Sequence, residues 1–154
     1  MEENRRNSLE SNIGKDISDL ENLNSQNIDI ATSNGSFIFN NINCKNLFAT
    51  TKNSSIKLDN IKGENVKINT TNGKIISENM SGEDVNILDM DNTNGSISIS
   101  FSSYLENMYL DLKTSVGSID IDIFDLIYKN QLKKILIQKK LLPIPLISVK
   151  IKSI

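Results

Sequence analysis

The groups in this 154-residue chain that could do chemistry are 19 carboxylates and one cysteine, with no histidine among them. Without imidazole there is no Ser-His or Cys-His nucleophile system, no commonest general base and no commonest transition-metal ligand. The run Asp89, Asp91, Thr93, Asn94, Gly95 has the look of a calcium loop. An EF-hand loop needs glycine at its sixth position and a bidentate acid at its twelfth, and those positions hold Asn94 and Ser100. The run is therefore read as a solvated insertion. Glu83 beside Asp84, and Asp120 beside Asp122 across one residue, are paired carboxylates. Glycoside chemistry sets its pair about 5 to 9.5 Å apart in a cleft, usually against aromatic platforms, and this chain has no Trp and 3 Tyr. Cys44 falls in a column of small residues, Ser25, Gly63 and Gly82, and reads as a turn residue with only Lys45 adjacent to activate it. One cysteine makes neither an intramolecular disulfide nor a thiolate zinc cluster. No catalytic, metal or cofactor residue is assigned, no cofactor is expected, and the chain reads as a non-enzyme.

The composition points to architecture. There are 22 Asn and 24 Ile, and the net charge of -2 conceals a division. Every acid precedes Tyr128, whereas the segment from Lys129 to the end has 7 lysines and no acid. The remainder, with 10 bases against 19 acids, is unsuited to wrapping nucleic acid. No apolar run approaches the ~18 residues of a membrane helix, and the start lacks the apolar core of a secretory signal, leaving a cytoplasmic or membrane-peripheral location open.

Self-similarity organises the chain. Segments 22–35, 41–54 and 60–73 align without a gap at a period of about 19 residues. A fourth copy runs from Asn79 to Gly95 with about three extra residues expected around Asp89 to Asn92, and a fifth ends near Ile121, giving repeats of roughly 19–22 residues. Down the copies, Ile28, Leu47, Val66, Val85 and Leu110 make one apolar column, and Ile30, Ala49, Ile68, Ile87 and Leu112 a second. Beyond the turn, Phe37, Ile56, Ile75, Ile97 and Ile119 make a third, and Phe39, Leu58, Ile99 and Ile121 a fourth, interrupted by Ser77. Leu23, Ile42, Ile61 and Met80 form a fifth. Apolar residues alternating with polar ones make strands with one buried face.

Two strands of about five residues cannot bury a core alone, but stacked copies can. The expectation is an all-β fold, a β-solenoid resembling a right-handed β-helix, with about five coils. The turn residues stack too: Asn22, Asn41, Asn60 and Asn79 at one corner, Asn34, Asn53, Asn72 and Asn94 at another, with glycines at Gly35, Gly73, Gly95 and Gly117. Asparagine tolerates positive φ and can pair its amide with an identical amide above and below. Asn27, Asn46, Asn65 and Asp84 nearly make a third ladder. Thr32, Thr51 and Thr70 form a column read as cross-strand threonine stacking. An antiparallel sandwich with Asn-Gly hairpins is the alternative. Hairpins, however, do not require the same residue at the same corner of every copy.

The stretches Thr71-Asn72-Gly73-Lys74-Ile75, Thr93-Asn94-Gly95-Ser96-Ile97-Ser98-Ile99 and Thr114-Ser115-Val116-Gly117-Ser118-Ile119-Asp120-Ile121 resemble the bacterial adhesin-type β-strand repeat family, DUF4097. The similarity covers roughly residues 22 to 122. It implies a β-helix-like domain, cell-envelope placement and an adhesion role without established catalytic residues. The expected layout is a polar segment or partial coil over 1–21, repeats over 22–122 and a basic tail over 123–154. Leu132, Ile135 and Leu136 among the tail lysines would suit a short amphipathic helix that caps the rod or touches an anionic membrane surface. A terminal strand pair or an out-of-frame extension reads equally well. The function expected first is a structural or binding surface for an unknown ligand, with polar columns such as Asp29, Lys67 and Asn86 facing out. A self-associating scaffold comes second, and a polysaccharide-acting β-helix enzyme third.

Overall fold

The computed structural model describes residues 8–12, 18–103, 105, 108–124, 134–139 and 147–152. Its elements are β1 (Ser8–Asn12), β2 (Ser18–Ala31), β3 (Phe37–Thr51), β4 (Ile56–Asn72), β5 (Ile75–Met80), β6 (Ile87–Asn94), β7 (Ile97–Phe101), β8 (Tyr109–Val116), β9 (Ile119–Phe124), β10 (Lys134–Lys139) and β11 (Ile147–Lys152). All pairings are parallel, in an 11-stranded sheet that coils into a β-solenoid. The hairpin alternative is excluded, because each strand pairs with the equivalent strand one coil away.

Two long faces follow from the register. On the first, β1, the closing halves of β2, β3 and β4, then β6, β8 and β10 stack so that Leu9, Ile28, Leu47, Val66, Leu88, Leu110 and Ile135 fall in line. On the second, the opening halves of β2, β3 and β4 are followed by β5, β7, β9 and β11. Strands β2, β3 and β4 run unbroken from one face to the other because Asn22, Asn41 and Asn60 turn the corner at φ of 52, 56 and 52°. Left-handed backbone is strained for most L-residues, and asparagine is among the few that adopt it routinely. The core lies between the faces, where Phe37, Phe39, Leu58, Ile68, Ile75, Met90 and Leu112 are buried.

Three expectations change. The three extra residues of the fourth copy lie at Ser81–Asn86, ahead of β6, and not at Asp89–Asn92. Leu88 and Met90 consequently take the column places expected for Val85 and Ile87. Val85 is buried beneath the inserted turn, while Ile87 is pushed out to the corner and is 43% exposed. Apolar character alone could not distinguish Ile87 from Leu88, two residues adjacent in sequence. Asp89 to Asn94 is thus strand, alternating outward Asp89 and Asp91 with inward Met90 and Asn92. It is Asp89, and not Asn86, that continues the outward column of Asp29 and Lys67. Finally, of the readings offered for the lysine-rich segment, the helix is absent over 134–139 and the terminal strand pair is present. Strands β10 and β11 pair with β8 and β9 in parallel register, so the stack continues beyond the sequence repeat. The rest of that tail, Leu132 included, lies outside the described residues.

Candidate functional site

The corners carry the side-chain hydrogen bonds. Asn53 Nδ2 donates to Asn34 Oδ1 at 2.9 Å, Asn72 to Asn53 at 2.9 Å, and Asn94 to Asn72 at 2.8 Å. Asn60 donates to Asn41 at 3.0 Å, and Asn41 to Asn22. Asn79 instead donates to the Asp59 carboxylate at 2.9 Å. The third corner pairs Asn46 with Asn27 and Asn65 with Asn46, and ends where Ile87 follows Asn65 in register. Asp84 lies in the inserted turn, where its carboxylate accepts from the Ser81 hydroxyl at 2.7 Å.

Inside the Asn-Gly corner, the threonine column read from the sequence at Thr32, Thr51 and Thr70 continues through Asn92 and Thr114, and its side chains bond to turn carbonyls in addition to stacking. Thr51, Thr70, Asn92 and Thr114 stack in register, each fully buried. Each caps a turn carbonyl of the preceding coil: Thr51 Oγ1 donates to Gly35 O, Thr70 to Ser54 O, Asn92 Nδ2 to Gly73 O and Thr114 to Gly95 O. The column places its hydroxyls and one amide on otherwise orphaned acceptors. The matching glycines permit the approach, since a Cβ on Gly73, Gly95 or Gly117 would collide with the backbone carbonyl of the turn before it.

Outward side chains hold the chemistry. On the first face, Lys67 pairs with Asp89 at 3.3 Å and Lys113 with Asp111 at 2.8 Å. The hydrogen bond that Lys113 donates to the Asp111 carboxylate raises its pKa, partial burial opposes the rise, and the charges of Asp111, Asp89 and Asp91 add to it. Of the calcium-loop acids, Asp89 is accordingly paired with an ammonium group, and Asp91 stands opposite Lys113 in register. Among the described residues, no group of three His, Cys, Asp or Glu is placed to hold a metal ion. Cys44 lies beside Gly63 in a shallow depression, and burial pushes its thiol up to about 11, away from reactivity at neutral pH.

The second face bears a groove. Register puts Ile76, Ser98 and Asp120 in one outward row, and Ser100 beside Asp122 in the next. Glu78 shares that second row with a local irregularity: Glu78 and Asn79, the latter at φ 52°, oppose the single residue Ser100, a β-bulge in β5. The middle strand, β7, presents only serines, so it forms a floor between taller walls on β5 and β9. Ile76 and Glu78 make one wall, Asp120 and Asp122 the other, and about 260 Å³ lies between them. The Glu78 carboxylate holds Lys57 Nζ at 3.1 Å, and the Ser118 hydroxyl lies 3.4 Å from the Asp120 carboxylate. The paired acids Asp120 and Asp122 therefore stand side by side on β9 as one wall of an open groove. Glu83 and Asp84 sit apart from it in the inserted turn. The groove was visible in the sequence only as Ser98-Ile99-Ser100, two small residues at the outward places of one strand.

No curated protein and no solved structure matches the chain. The profile of the Toastrack DUF4097 family matches residues 6–134, taking in the sequence repeats, the rung β1 and the start of β10. With parallel coils, stacked Asn-Gly corners and a match across most of its length, the chain belongs to the Toastrack DUF4097 family.

Proposed function

We propose that the protein is a non-enzymatic, adhesin-type binding rod of the bacterial cell envelope, and that its second face engages an amine-bearing surface polymer. The observation that carries this reading is the charge of that face. Asp19, Glu21, Asp59, Glu78, Asp120 and Asp122 project from it against Lys57, and the register brings a further lysine, Lys150 opposite Asp122, only at the last rung, β11. Parallel strands repeat such groups about every 4.8 Å, a regular spacing suited to a polymeric ligand and not to a single small molecule. The serine floor admits a chain lying along β7, and the Lys57 contact to Glu78 illustrates how its wall receives an ammonium group. Like-charge repulsion disfavours anionic polymers on this face.

Cosedimentation of the purified chain with isolated envelope polymers, with and without free amines, tests the proposal. Binding should require the amines and weaken roughly tenfold in Ser98→Tyr, which fills an outward-facing groove position. Equal binding by native and Ser98→Tyr chains, or binding indifferent to the amines, would refute it.

A further inference from the structure

We infer that the two ends of the solenoid are complementary and that copies of this chain join head to tail into a continuous rod. This goes beyond the binding proposal and is independent of it, since it concerns the ends and not the sides. Among the described residues, no strand pairs with the outer edge of β1, and none with the outer edges of β10 and β11. A parallel edge presents unpaired N–H and C=O groups in the same geometry as every internal rung, and so offers a template for a further strand.

Register, charge and apolar phase agree on the occupant. Extending the internal register by one rung puts the β10 positions Ile135 and Ile137 against Leu9 and Ser11 of a second copy. It puts the β11 positions Ile147 and Val149 against Ser18 and Leu20. The same extension brings the position of Lys150 to that of Glu21. Residues 1–21 carry six carboxylates against three bases, whereas the segment from Lys129 onward carries 7 lysines and no acid. Opposite charge at the two ends favours head-to-tail contact and disfavours head-to-head or tail-to-tail contact. The contact is heterologous, so it propagates as an open filament and does not close as a dimer.

Sedimentation velocity across protein and salt concentration, with electron microscopy, tests this on the full chain. Linear oligomers should lengthen with protein concentration, and the association should weaken roughly tenfold or more between about 0.05 and about 0.5 M salt. The double variant Glu10→Lys, Glu21→Lys leaves residues 1–21 with four acids against five bases, so both ends are positive, whereas Lys134→Glu, Lys139→Glu, Lys150→Glu, Lys152→Glu leaves the tail with three lysines against four acids, so both ends are acidic. Each alone should lose assembly while keeping the strand signal in circular dichroism, and mixing them should restore filaments of alternating composition. A native chain that stays monomeric throughout the range overturns the inference. So do oligomers insensitive to salt, or filaments that survive both reversals. If a variant fails to fold, the native chain's concentration and salt series decides.

Discussion

Each asparagine amide in the corner ladders donates towards the coil before it, so members of a ladder are not equivalent. Asn34 is used by its neighbour only as an acceptor, whereas Asn72 both accepts from Asn94 and donates to Asn53. A carboxylate can do the first and not the second. The bond from Asn79 to the Asp59 carboxylate shows a corner asparagine donating to a carboxylate in the coil before it. Asn34→Asp should therefore leave the melting temperature nearly unchanged, while Asn72→Asp should cost about 1–2 kcal/mol in denaturant unfolding. Equal losses at the two sites would disprove ladder polarity. Cys44 gives a prediction in pH. Its folded pKa of about 11 exceeds the ordinary value of 9.0, so the folded chain holds the proton more tightly than the unfolded chain. This contribution to stability is complete below pH 9 and is lost as pH rises towards 11, by an amount on the order of 1–3 kcal/mol. Cys44→Ala should flatten that alkaline decline. A thiol reagent at pH 8 should modify the native chain far more slowly than the denatured one.

The turn between the faces is tight at its glycines and looser elsewhere. Gly95, at φ 155°, has no space for a Cβ beneath the Gly73 carbonyl, and Asn92 Nδ2 crowds the same spot. At Gly63 a Cβ would meet Val66 and Cys44 side-chain atoms at 3.3 and 3.4 Å, which small shifts absorb. Gly95→Ala should accordingly destabilise by about 2 kcal/mol or more, and Gly63→Ala by less than about 1. Thermal unfolding of the pair compares the two sites directly. Strand existence and facing were legible from sequence because burial repeats every second residue along a strand and every copy along the chain. Phe37, Ile56, Ile75, Ile97 and Ile119 stack as their spacing implies. The phase of β6 was not legible, since Val85 inside the inserted Ser81–Asn86 turn and Ile87 and Leu88 just after it all fit an apolar column. The groove was illegible for another reason: it depends on which residues of three different strands become neighbours, and on the bulge at Asn79 that sets one wall.

Across the whole molecule, contacts run almost wholly between adjacent coils, so stability is a sum of coil and interface terms and should decline towards the ends. Amide hydrogen exchange is expected to be slowest in β4, β6 and β7, and fastest in β1 and β11, which each have a neighbour on one side only among the described strands. Uniform protection from β1 to β11 would contradict this reading. If the ends join as inferred, protection at β1 and β11 should rise with protein concentration while the middle is unaffected. The inserted turn before β6 has a further consequence. Spacing between equivalent first-face residues is 19 from Asn46 to Asn65 and then 22 from Asn65 to Ile87, yet the first face keeps its register across the change, and the second keeps it from Ile75 opposite Ile97 to Ser77 opposite Ile99, ahead of the bulge at Asn79. Corner length is thus uncoupled from rung spacing. A duplicated or deleted repeat would alter reach in steps of about 4.8 Å while leaving every other rung undisturbed, so the gene can set the molecule's length as one sets a ruler, one graduation at a time.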